Sequence, residues 1–135
     1  MKIYNPKDTA YTRFYSVAKR SNNIHFPIVS KLGYLDIPIT SNKDFRAFMV
    51  ITEKLEMISN SYNEMIIDIN RYIRYGEMAN NEWFDKFPYL QEACNIIKSL
   101  IQSSSYDSDI GDRNIMLRGS IPVFIDPIMV RHPIS

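Results

Sequence analysis

The chain has 135 residues and 15.8 kDa, with 45% hydrophobic, 23% charged and 13% aromatic residues. That is enough apolar surface for one core, and the length excludes two full domains. Sixteen Lys and Arg against fifteen Asp and Glu leave a net charge of +1, which excludes a strongly basic, non-specific nucleic-acid binder.

Ile, Phe and Tyr recur along the whole length, so the chain is not intrinsically disordered. The longest apolar runs, such as Met49-Val50-Ile51, fall far short of the roughly 20 residues that span a bilayer. Met1 to Pro6 carries no apolar leader core, and Cys94, the single cysteine, has no partner for an internal disulfide. Both features predict a cytoplasmic protein.

In chain order, Asn5-Pro6 or Asp8 opens a helix over about residues 7–20, with Ala10, Phe14, Val17 and Ala18 as its apolar stripe. Ile28–Leu35 and Phe45–Thr52 read as an antiparallel strand pair joined by the turn formers Thr40 to Asp44. Ser61 and Glu64 have capping-box spacing for a helix carrying Met65, Ile66, Ile69, Tyr72 and Ile73, which Gly76 ends. After an Asn-rich loop, Pro88 begins a third helix with the stripe Leu90, Ala93, Cys94, Ile97, Leu100 and Ile101, in which Cys94 reads as a buried structural thiol. Trp83, Phe84 and Phe87 precede that helix in a loop, and burial beneath it is favoured over an exposed patch. Ser103 to Ser105 marks a break. A β-hairpin follows, Asn114–Leu117 and Val123–Asp126 about a turn at Arg118-Gly119-Ser120. The fold class is α+β: one N-terminal helix, a small antiparallel sheet, two further helices and a C-terminal hairpin.

The open end of the hairpin is polar where its arms are apolar. Register about Ser120 places Asn114 opposite Asp126, and Asp109 lies five residues earlier in a loop with Gly111. Two oxygen-bearing side chains suit Mg²⁺, with water and phosphate completing its shell, and a third carboxylate can accept a hydroxyl proton. The same residues also serve ordinary purposes, Asp109 capping a turn, Asn114 satisfying loop amides and Asp126 ending a strand. His25 and His132 have no neighbours at metal-ligand spacing and read as packing or surface residues.

Asp109-Ile110-Gly111-Asp112-Arg113-Asn114-Ile115-Met116 resembles the catalytic loop of the protein-kinase-like superfamily, which includes aminoglycoside phosphotransferases, and Ile125-Asp126 resembles that family's metal-binding strand end. The resemblance implies Asp109 as catalytic base and Asn114 and Asp126 as metal ligands. Helix one with Asn23 to Val29 is similar to the family's regulatory helix and next strand. Phe48 to Leu55 looks like the strand entering the nucleotide hinge, which makes Glu53 and Leu55 cofactor-binding candidates and leaves Glu56 beside them. Arg113 and Arg118 flank the site within reach of a phosphate, Arg113 being the cofactor-binding candidate.

The departures from the family are also specific. Gly33, Gly76, Gly111 and Gly119 are the only glycines, so no glycine-rich loop covers a nucleotide. No strand with a phosphate-pairing Lys is apparent before helix one, and that helix has no Glu to pair with one. Asp107 replaces the expected His, Pro127 follows Asp126, and the chain ends nine residues later, at about half the length of a kinase domain. Residues 1–135 thus read as a single, truncated kinase-like domain lacking the glycine-rich loop region and the late C-lobe. Such stripped, Ile- and Asn-rich enzyme versions resemble what bacteriophages encode. The expected function is a non-catalytic kinase-like regulator that binds a partner protein, a host protein if the chain is phage-encoded. It requires no cofactor, and uncovered edge strands allow an oligomer. The alternative is an Mg²⁺-dependent phosphotransferase using ATP.

Overall fold

A computed structural model describes residues 2–4, 9–38, 44–77, 82–103 and 106–130. The described residues form an α+β fold of four α-helices and three small antiparallel sheets with a C-terminal hairpin. The predicted opening of helix one at residues 5–8, the turn at 40–43 and His132 lie outside the described residues.

Strand β1 (Lys2–Tyr4) is followed by helix α1 (Thr9–Arg20), strand β2 (Val29–Pro38) and strand β3 (Asp44–Thr52), and the three strands make one sheet in the order β1-β3-β2. Lys2 and Tyr4, two residues apart, share one face of β1. Tyr4 pairs with Phe48 of β3, and its ring stacks on Tyr11 of α1. Helix α1 buries Ala10, Phe14, Tyr15 and Ala18 at helical spacing, and it ends in Lys19 and Arg20, whose charges suit a helix C-terminus.

Strand β4 (Glu56–Met57) leads into a 3₁₀ turn (Asn60–Tyr62) and helix α2 (Asn63–Tyr75). The predicted capping box does not form. Tyr62 occupies the cap position without a side-chain bond, and the Ser61 hydroxyl instead meets that of Ser59 at 2.7 Å. The tight turn ahead of α2 has moved the helix start two residues past Ser61. Gly76 closes α2 as expected, at φ 73°, its N–H bonding the Tyr72 carbonyl at 2.8 Å.

Helix α3 (Glu82–Lys86), absent from the sequence expectation, precedes helix α4 (Leu90–Ser103). It is too short to show periodicity, yet it seats the aromatic cluster. Phe87 is buried, Trp83 donates to Asp68 Oδ2 at 2.9 Å, and Phe84 packs edge-on to Tyr72. Burial pushes the Cys94 thiol up to about 12, consistent with an inert core residue.

Strand β5 (Tyr106–Ser108) pairs with strand β8 (Ile128–Val130), and between them strand β6 (Ile115–Arg118) and strand β7 (Ile121–Phe124) form the hairpin. Its loop has two residues, Gly119-Ser120, with Gly119 at φ 63°. Arg118 therefore faces Ile121, and the register is one residue tighter than predicted.

His25 ties these parts together. Its Nδ1–H donates to the Pro122 carbonyl at 2.8 Å, its carbonyl accepts from the Phe124 N–H, and its N–H donates to Asn23 Oδ1. Nε2 is buried with no partner among the described residues. Burial first, and then the nearby Arg118 charge, hold the imidazole below its ordinary 6.5. A base with a depressed folded pKa lends stability that is complete above the unfolded pKa and falls as pH drops below it. The melting temperature should therefore fall between about pH 7.5 and pH 5.5, and His25→Gln should remove most of that slope. A slope that persists unchanged in the variant would locate the titration elsewhere.

Candidate functional site

Two antiparallel ladders converge on the polar residues. The outer ladder, β5 with β8, continues through the Asp109 N–H to the Pro127 carbonyl at 2.8 Å. The inner ladder, β6 with β7, continues through the Ile125 N–H to the Asn114 carbonyl at 2.9 Å. Residues 109–114 and 125–127 are thereby drawn into one region. Asn114 lies opposite Ile125 rather than Asp126, a correction to the predicted register that follows from the two-residue turn. The Asn114 side chain spans its own loop, Nδ2 donating to the Asp109 carbonyl at 2.5 Å.

Asp126 ends the inner strand at φ 48°, the one non-glycine positive φ among the described residues. Asp is among the few residues that tolerate this left-handed conformation. The turn directs the carboxylate toward β1. Lys2 Nζ lies 3.3 Å from Oδ2, with side-chain exposures of 42% for Lys2 and 14% for Asp126. The Tyr4 hydroxyl is 2.9 Å from Oδ1 and 3.0 Å from Oδ2, and 3.4 Å from the Tyr15 hydroxyl. Burial first, and the Asp126 charge second, push both phenols far above their ordinary range, so both are neutral donors.

The expectation that no Lys-bearing strand precedes helix one is thus overturned. Lys2 stands on β1 and pairs with Asp126. A three-residue strand at the start of the chain shows no periodicity, so only the same-face spacing of Lys2 and Tyr4 signals it. The absence of Glu from α1 holds, and Tyr15 of α1 comes nearest this pair.

Beside the ion pair is a cleft of about 430 Å³ lined by Lys2, Tyr15, Thr52, Glu53, Leu55 and Met116, among others. Glu53 and Leu55 therefore stand at the cleft, but the Glu53 carboxylate is already engaged. It accepts from Arg118 through both oxygens and from the Ile28 N–H, and Arg118 also donates to the Ile24 and Phe26 carbonyls. Arg118 is thus a structural clamp. Arg113 is exposed on the turn before β6 and does not line the cleft.

Asn70 of α2 brackets Asp109, accepting from the Ser108 hydroxyl at 3.2 Å and donating to the Ile110 carbonyl at 2.8 Å. Sequence periodicity places Asn70 beside the apolar stripe without indicating this role.

Among the described residues no cluster of three or more His, Cys, Asp or Glu side chains is placed to hold a metal, and no helix is long and apolar enough to cross a membrane. Asn114 and Asp126 nevertheless form a hard-oxygen donor pair of the kind Mg²⁺ takes when water and phosphate fill its other positions. The Asn114 amide nitrogen is used within the loop, so its oxygen is the atom suited to a cation. Compared with protein-family models, curated proteins and solved structures, the chain has no significant match.

Proposed function

We propose that this chain carries the nucleotide-handling site of a kinase-like phosphotransferase. The observation that carries the reading is the Lys2–Asp126 ion pair beside a cleft of about 430 Å³, a volume in the range of small-ligand sites. The regulator reading drew on the apparent absence of such a Lys, and that support is gone. In the proposed site Lys2 neutralises a nucleotide phosphate, Thr52 to Leu55 border the base, and Met116 supplies an apolar wall. Mg²⁺ held by Asn114 and Asp126 would neutralise further phosphate charge when bound. Asp109, fixed by Asn114, Asn70 and Pro127, accepts the proton of an acceptor hydroxyl. The cytoplasm, where ATP and Mg²⁺ are abundant, is the compartment this reading requires.

The test is ADP release from Mg-ATP, with water as the acceptor, by wild type and Asp109→Asn. Turnover by the wild type that the variant loses supports the reading, and equal rates remove it.

One observation favours the regulator alternative. Tyr4 occupies both oxygens of Asp126. A protein whose metal carboxylate stays covered binds a host or other partner protein through its surface without turning over nucleotide.

A further inference from the structure

Of the two groups on Asp126, Lys2 is 42% exposed and can swing into solvent, whereas Tyr4 is held on several sides. Its ring lies 4.0 Å from that of Tyr11 and packs on Tyr15 and Phe48, and its backbone is in register with β3. The hydroxyl hydrogen is directed between the two carboxylate oxygens, at near-equal distances of 2.9 and 3.0 Å. Those lone pairs are the ones a hard cation has to use.

We infer that Tyr4 is a latch on Asp126: a divalent cation reaches the carboxylate only after the Tyr4 hydroxyl has withdrawn from it. This rests on the phosphotransferase reading for Asp126 as a metal ligand, and adds a gate that reading does not need. A hydrogen bond from a neutral hydroxyl to a carboxylate is among the stronger kinds in proteins. Apparent metal affinity is then scaled down by the fraction of molecules in which the latch is open. With this bond strength the reduction is about 10- to 100-fold. The latch also accounts for a site that holds its oxygen ligands and its Lys together with a bond that blocks them.

The test is calorimetric titration of the full chain with MnCl₂ alone, without nucleotide. Tyr4→Phe keeps the aromatic stack and removes only the hydroxyl, so it should bind about 10- to 100-fold more tightly than wild type. Adding Asp126→Asn to that variant should abolish the binding. Equal affinity in wild type and Tyr4→Phe overturns the latch and leaves the metal site standing, whereas no binding by any folded variant overturns both. Should Tyr4→Phe not fold, the wild type decides: saturating Mn²⁺ must alter the near-ultraviolet absorption of tyrosine as the phenol leaves the carboxylate. An unchanged spectrum in a protein that binds Mn²⁺ overturns the latch.

Discussion

Asp109→Asn is expected to lower ADP release by about 10²- to 10⁴-fold, the usual contribution of a positioned general base. Nucleotide affinity should stay within about twofold, because the carboxylate acts only while the proton is in flight. The substitution is well suited to this separation. Asp109 is held by its own main chain, through its N–H to Pro127 and its carbonyl from Asn114, and both contacts survive the change. Steady-state kinetics provide the check. A fall confined to kcat supports the proton-acceptor role. A rise confined to KM would make Asp109 a binding residue instead.

Arg118→Met is expected to destabilise the fold by about 2–4 kcal/mol, read from urea unfolding. One guanidinium serves the Glu53 carboxylate and the carbonyls of Ile24 and Phe26, so its loss leaves several polar groups of the segment before β2 without their donor. Met replaces most of the side-chain volume, so the cost reflects lost hydrogen bonds rather than a cavity. The pairing has a pH signature. Hydrogen bonding to Arg118 is the main cause holding the Glu53 carboxyl below its ordinary 4.5. An acid with a depressed folded pKa lends stability that is complete above the unfolded value and lost as pH falls through the folded one. The gap between wild type and Arg118→Met should therefore narrow below about pH 4.5. A gap that is flat with pH would assign the loss to the carbonyl contacts alone.

The strongly periodic elements were legible in the sequence. Helix α1, the stripe of α4, the β2–β3 pair and the hairpin follow from apolar spacing and turn residues, as does the α+β class. Elements of two to five residues were not. Strands β1, β4, β5 and β8 and helix α3 are set by pairing and packing with distant segments, and so few residues carry no period of their own.

The site divides in the same way. Asp109, Asn114 and Asp126 were found because loop and strand spacing place them near one another. Lys2, Tyr4 and Asn70 were not, because each reaches the site across a long stretch of chain. Tyr15 reads in the sequence as a core aromatic, and it is one: the residue is fully buried while its hydroxyl lies beside that of Tyr4. Arg118, read as a flanking phosphate ligand, proved to be committed to Glu53 and two backbone carbonyls, a clamp that only the folded loop creates.

The central claim is that Lys2 and Asp126 stand at a nucleotide site, and thermal unfolding with Mg-ATP tests it most directly. A ligand that binds only the native state at about 100 times its Kd adds about 2.7 kcal/mol of stability. For a chain of this size that raises the melting temperature by about 5–10 °C. Wild-type protein should show this rise, and Lys2→Met should lose most of it. A folded wild type whose melting temperature does not move at millimolar Mg-ATP, or a Lys2→Met variant that shifts as far as wild type, would contradict the claim.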